Sequence, residues 1–182
     1  MRSPITTERE HRPVPIGWRC AIRLTDRIPR LWKERLPMKA TTTRRFFSRE
    51  TEVAVDIAAD ADAVWSLLTS ARDYPSWNST VVSIEGDIAR GNTIRLTSTL
   101  DPKRTFKLSV KQFDPPERLV WGDAMGTRTY RITPKGPGSV TFSMHEKIGG
   151  PVFPLFAGMI PSFDASFDTF AADLKKKAEG RS

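Results

Sequence analysis

Val53, Val55 and Ile57 alternate with Glu52, Ala54 and Asp56, which is the two-residue period of a strand with one buried face. The period then changes to that of a helix. Asp60 stands where an N-cap would, and Val64, Leu67, Leu68 and Ala71 recur at i, i+3, i+4 and i+7. Tyr74-Pro75-Ser76-Trp77-Asn78 closes this helical region, because a proline disfavours helix at the residue before it. The pattern predicts one strand followed by two short helices.

From residue 80 onward the two-residue period returns, in segments near 80–86, 92–100, 104–113, 117–122, 126–133 and 138–147. Turn-forming residues separate them: Arg90-Gly91-Asn92, Asp101-Pro102, Pro115-Pro116, Asp123-Ala124-Met125-Gly126 and Pro134-Lys135-Gly136-Pro137-Gly138. Connections this short join antiparallel neighbours, since a parallel crossover needs a dozen residues or more. Phe106, Leu108 and Val110 alternate with Lys107, Ser109 and Lys111, and Val140, Phe142 and Met144 with Thr141, Ser143 and His145. One face of the sheet is wet and the other apolar.

The final element reads as a helix. Phe163, Phe167, Phe170 and Leu174 form one stripe, Ser162 is placed to cap it, Asp164 lies in its first turn and Lys175-Lys176-Lys177 in its last. Seven strands would span about 34 Å if flat, at about 4.8 Å each, whereas one helix is only about 10–12 Å across. The sheet must therefore curl around the helix to bury its apolar face. The expected fold is α+β: a curved seven-stranded antiparallel sheet gripping a long C-terminal helix. Any space left between them is bounded by Leu96, Phe106, Leu108, Trp121, Tyr130, Phe142 and Met144 on the sheet, and by Phe163, Phe167 and Phe170 on the helix. An apolar hollow with a few polar groups is the usual form of a small-molecule site.

In this order and spacing the chain resembles the START-like (SRPBCC) superfamily, and within it the polyketide cyclase/dehydrase and lipid-transport group. The resemblance covers about residues 49–178. It is carried by Val53-Ala54-Val55-Asp56-Ile57-Ala58-Ala59, Ala63-Val64-Trp65-Ser66-Leu67-Leu68, Tyr74-Pro75-Ser76-Trp77-Asn78, the Gly91-Asn92 turn, Pro116-Glu117-Arg118-Leu119-Val120-Trp121 and the final helix. It implies a helix-grip fold around a pocket for a lipophilic ligand, in a group that holds carriers, sensors and ring-closing or dehydrating enzymes. The chain departs from the group at Trp77-Asn78-Ser79-Thr80, where relatives often continue with proline and a bulky apolar residue. No catalytic signature transfers residue by residue.

Charge divides the chain of 182 residues unevenly. Its formal net charge is +8, yet residues 1–37 hold nine Lys and Arg against four Asp and Glu, leaving the body near neutral. That leader contains five prolines and no sustained period, and is expected to be a disordered arm or to precede the true start at Met38, with residues 38–182 forming the ligand-binding domain. Arg44-Arg45-Phe46-Phe47 looks like the start of an export signal, but polar residues 48–52 follow where the apolar run should be. A cytoplasmic location is the expectation. One cysteine, Cys20, and two histidines, His11 and His145, exclude an internal disulfide and a multi-histidine metal centre, so no metal or other cofactor is expected. Neither a phosphate-binding G-x-x-x-x-G-K-[ST] loop nor a G-x-G-x-x-G turn occurs. The body's aromatics follow core periods, so nucleic acid is not an expected partner either.

Candidate chemistry is sparse. By the alternation His145 faces solvent, while Arg128 shares the inner phase of Tyr130, and Glu146 that of Met144. The pair could orient a carbonyl or carboxylate, helped by Ser98 and Tyr130, and Glu146 and Tyr130 are the weak candidates for proton transfer. The run from Ile148 to Ile160, rich in glycine, proline and apolar residues, reads as a lid that could touch a membrane during ligand exchange. The preferred expectation is a binder or carrier of a hydrophobic small molecule, lipid-like, polyketide-like or polyaromatic. The alternatives are an aromatase/cyclase or dehydratase acting in the same hollow, and a protein-interaction module built on the apolar 148–160 run.

Overall fold

The computed structural model describes residues 39–155 and 157–180. The basic leader, with Cys20 and His11, and the alternative start Met38 lie outside the described residues. In chain order the elements are β1 (Thr41–Arg45), β2 (Ser48–Ile57), α1 (Ala61–Thr69), α2 (Tyr74–Trp77), β3 (Val81–Glu85), β4 (Thr93–Ser98), β5 (Asp101–Asp114), β6 (Arg118–Gly122), β7 (Gly126–Gly136), β8 (Ser139–Gly149) and α3 (Asp164–Ala178). A 3₁₀ turn at Ala71–Asp73 joins α1 to α2, and two more, Phe153–Leu155 and Ala157–Met159, lie between β8 and α3. All eight strands form one antiparallel sheet in the order β1-β2-β8-β7-β6-β5-β4-β3.

The expected seven strands become eight. Thr41–Arg45 carries no apolar period, because as an edge strand it is largely exposed and buries no complete face. It is held instead by the ladder to β2, by a 2.8 Å bond between the Thr42 and Thr51 hydroxyls, and by α3. The Thr42 hydroxyl donates to Asp164, and the Ala40 amide donates to Asp168 Oδ1 at 2.5 Å. The other adjustments are local. Pro75 sits in the first turn of α2, where no amide donor is needed, so it begins a helix as well as ending one. The β4–β5 turn falls at Thr99-Leu100, and Asp101-Pro102 already belongs to β5. Phe163, not Ser162, is the N-cap of α3, and the Ser162 hydroxyl donates to Asp164 Oδ2 at 3.0 Å.

The core lies between the concave face and α3. Register places Val55 opposite Phe142, Val53 opposite Met144, Tyr130 opposite Met144 and Ile132 opposite Phe142, so one apolar row runs across β2, β8 and β7. Phe167, Phe170, Ala171 and Leu174 of α3 close over it. The C-terminal half of the helix is tied down as well: the Ser79 amide and hydroxyl donate to Asp173 Oδ2 at 2.8 and 2.7 Å, and the Ala58 amide donates to Glu179 Oε1 at 2.8 Å. At one end of the sheet the β1–β2 hairpin, the β6–β7 turn and the end of β8 meet. The Gly149 amide donates to Met125 O and the Gly150 amide to Phe47 O, both at 3.0 Å. A Cβ on Gly149 would stand 2.6 Å from Phe47 O, so only glycine permits this approach.

Candidate functional site

The alternation that buries Val53, Val55 and Ile57 continues back along β2 to Thr51 and Arg49, which are 1% and 6% exposed. On β8 the same inner row passes from Met144 to Glu146, and on β7 from Tyr130 to Arg128. Glu146 lies directly between Thr51 and Arg128 in the ladder. One end of an otherwise apolar face is thus charged.

Arg128 donates from Nε and Nη2 to Glu146 Oε2, the Nε bond being 3.1 Å, with side-chain exposures of 22% and 15%. The guanidinium also lies 5.1 Å from the Phe167 ring centroid. Burial works against its charge, but the adjacent carboxylate prevails and its pKa is raised. The neighbouring Tyr130 phenol is buried beside the Arg128 guanidinium, and no carboxylate or carbonyl accepts its proton. Desolvation pushes that phenol up to about 12, with Arg128 opposing, so at neutral pH it is a fixed donor rather than a base. Arg49 forms the roof of this end. Its Nη1 and Nη2 donate to the carbonyls of Ile160 (3.0 Å) and Pro161 (2.7 Å), and its guanidinium lies 5.0 Å from the Phe163 ring. Phe163 and Phe167 stack at 6.4 Å, so two arginines from the sheet face two stacked phenylalanines at the start of α3.

The residues named from the sequence divide into three groups. Trp121, Tyr130, Phe142, Met144, Phe167 and Phe170 are fully buried, and Leu96 nearly so. Tyr130, Phe142 and Phe170 pack ring on ring at 5.7–6.2 Å, and Trp121 meets Tyr130 edge-on at 4.9 Å. Phe106, Leu108 and Phe163 are half-buried at the margin of this core. Ser98 is occupied by backbone, donating to Thr80 O at 3.3 Å and accepting from the Leu100 amide at 3.2 Å. His145 is half-exposed, 3.5 Å from Glu50. Two open depressions, of about 430 and 510 Å³, lie elsewhere, one beside Asp60 and Pro134 and the other beside Arg72 and Asp87.

Sequence reading missed Arg49. The signal was present, since Arg49 and Thr51 keep the phase of Val53, but a polar pair invites the strand to be started at residue 52. The geometry offers a fixed carboxylate acceptor, a phenol whose proton has no acceptor and two guanidinium groups beside an apolar interior. That arrangement suits recognition of a polar group at the end of an apolar molecule.

Residues 48–179 match the family described as polyketide cyclase / dehydrase and lipid transport. The chain belongs to that family. Members of the wider START fold share its architecture. A START superfamily protein from Mycobacterium smegmatis is 19% identical, with a TM-score of 0.54 over 73% of this chain and 99% of that one. A protein from Rhodobacter sphaeroides is 19% identical, with a TM-score of 0.59 over 79% and 100%. A norcoclaurine synthase from Thalictrum flavum, a point mutant bound to a transition-state analogue, is 16% identical, with a TM-score of 0.55 over 78% and 99%. At such identities these likenesses establish the fold alone. No curated protein matches the sequence.

Proposed function

We propose that this family member binds a hydrophobic small molecule with one polar end. Its apolar body would lie between the curved sheet and α3, and its polar end at Arg128, Glu146 and Tyr130. The observation that supports this reading is the charged pair, with a phenol whose proton has no acceptor, set in an apolar face. Desolvating an ion pair costs several kcal/mol per ion, and hydrophobic replacement is often neutral or stabilising, so such a pair is weakly explained by stability. Burying about 300 Å² of apolar ligand surface would supply roughly 7 kcal/mol, at about 25 cal/mol per Å². Because the aromatic rings beneath are in contact, entry requires the segment between β8 and α3 to move.

The test is to purify the full chain, extract it with organic solvent and identify what is released by mass spectrometry. A stoichiometric lipid-like or polyaromatic compound supports the reading, and an empty extract from protein that also fails to take up any apolar probe sinks it. Turnover of a polyketide-like substrate, lost in Glu146→Gln while binding persists, would establish the cyclase or dehydratase alternative instead.

A second observation supports contact with an anionic lipid surface during exchange. Of the eight large apolar side chains exposed among the described residues, Phe46, Phe47, Met125, Val152, Leu155 and Met159 lie on the three connections that meet at one end of the sheet. Exposed Arg44, Arg45 and Lys147 flank them. Patches of this kind mark interaction surfaces, and basic residues add attraction to anionic lipid. Co-sedimentation with phosphatidylglycerol-containing vesicles but not with pure phosphatidylcholine is expected, and equal recovery without vesicles would overturn the reading.

A further inference from the structure

We propose that the ligand of this site is a carboxylic acid and that Arg49 is the residue its carboxylate engages, releasing the carbonyls of Ile160 and Pro161. The inference deepens the binding reading above and rests on it.

Arg49 occupies a position where the period of β2 calls for an aliphatic side chain, and it is 6% exposed. Among the described residues no carboxylate lies within ion-pair distance of it. Glu146 attracts it but is bonded to Arg128, and Asp164 attracts it but already accepts the hydroxyls of Thr42 and Ser162. Arg44 repels it. Burial followed by that repulsion lowers its pKa, the response of a cation lacking a full counter-charge.

Its donors are also underused. A guanidinium has five N–H groups. Two of them reach neutral backbone carbonyls, and the Nε donor is buried without a partner. The Tyr130 hydroxyl, on the same inner face beside Arg128, is likewise buried with no acceptor for its proton. This end of the interior therefore has unspent donors, and Arg49, Arg128 and Glu146 together leave one positive charge. A carboxylate brings one negative charge and about four lone-pair positions in a plane that matches the guanidinium fork. A phosphate monoester would bring close to two negative charges, and an alcohol or ester none. A carboxylate brings a full negative charge to Arg49 where the carbonyls bring only dipoles, so it would compete with those carbonyls for the guanidinium. Those carbonyls end the segment that bears Leu155 and Met159. Acid binding and release of that segment would be one event.

The experiment compares matched pairs on the full chain: hexadecanoate with hexadecanol by calorimetry, and anthracene-9-carboxylate with 9-anthracenemethanol by fluorescence. In at least one pair the acid is expected to bind at least tenfold more tightly than the alcohol. Arg49→Gln should reduce acid affinity about tenfold and leave the alcohol within about twofold, with Arg49→Lys between them. Addition of the acid, and not of the alcohol, should speed thermolysin cleavage between residues 152 and 159 severalfold. Equal binding of acid and alcohol, or acid binding unaffected by Arg49→Lys in a variant with unchanged circular dichroism, overturns the acid assignment while the binding reading stands. Selective acid binding with no change in cleavage overturns the release. If no member of either pair binds the unaltered chain, this inference falls together with the reading beneath it.

Discussion

The two ends of the concave face obey the same alternation and are put to different use. Around Phe170 the rings of Tyr74, Trp77, Tyr130 and Phe142 lie 5.7–6.3 Å away, and each of the five residues is at most 8% exposed. One helical turn or two toward the start of α3, the sheet presents Arg49, Arg128 and Glu146 to Phe163 and Phe167, under a segment with little regular structure. The first end is ordinary core, where packing determines stability. At the second, groups that are costly to bury are held in place by one another. The lesson is that facing inward does not identify a binding residue; a charged group facing inward without a full counter-charge is the mark that separates the two ends.

Truncation at the packed end should give the largest effect. Phe170→Ala removes a ring at the centre of five aromatic residues, and is expected to cost about 3–5 kcal/mol in urea denaturation. A loss below about 1 kcal/mol would mean that this end is loosely packed and that the contrast between the ends is false.

At the charged end, removing one member of the pair leaves the other without its partner. Fully buried pairs lose about 3–5 kcal/mol when broken. Arg128 and Glu146 keep side-chain exposures of 22% and 15%, so Arg128→Met should cost less, about 1–3 kcal/mol. The double variant Arg128→Met, Glu146→Leu should regain most of that stability, since the unpaired charge is gone. A double variant as unstable as the single one would show that the pair is needed for folding, which would remove the main support for a ligand role.

The sequence made the core end legible and the charged end only in part. Val140, Phe142 and Met144, and the stripe from Phe167 to Leu174, declare their burial because period and polarity agree. Arg128 and Glu146 could be placed inward by phase, but their pairing depends on a register between β7 and β8 that no local pattern fixes. Arg49 was concealed because its phase and its chemistry disagree, and β1 because an exposed edge strand needs no apolar face. Ser98 carries no mark in the sequence that its hydroxyl is spent on Thr80 and Leu100.

A spectroscopic test sharpens the comparison, because both of the chain's tyrosines, Tyr74 and Tyr130, pack their rings at the Phe170 end, while the Tyr130 hydroxyl lies beside Arg128. Burial raises the pKa of both, Tyr130 to about 12. A group held more strongly protonated in the folded state adds stability that is complete below its unfolded pKa and is lost as pH rises through its folded value. The folded chain should therefore show almost no tyrosinate absorbance near 295 nm at pH 10, whereas the urea-unfolded chain should be about half ionised. Stability should fall between about pH 10 and 12. Half a tyrosine titrating near pH 10 in the folded chain would place one phenol in water and end the description of Tyr130 as a buried donor.

The smallest effect should come from Leu155, in the segment that covers the charged end, where two residues two positions apart in a single turn behave oppositely. Phe153 is 3% exposed, so Phe153→Ala should cost a few kcal/mol, as core truncations do. Leu155 is 84% exposed, and Leu155→Ser removes no buried surface, so stability should stay within about 0.5 kcal/mol. The same change should lower recovery on phosphatidylglycerol-containing vesicles, because it removes apolar surface from the patch without altering its charge. If Leu155→Ser destabilises the chain as much as Phe153→Ala, the segment is packed over its whole length. It would then belong with the Phe170 end as core, and neither lid nor membrane contact would have a surface to act with.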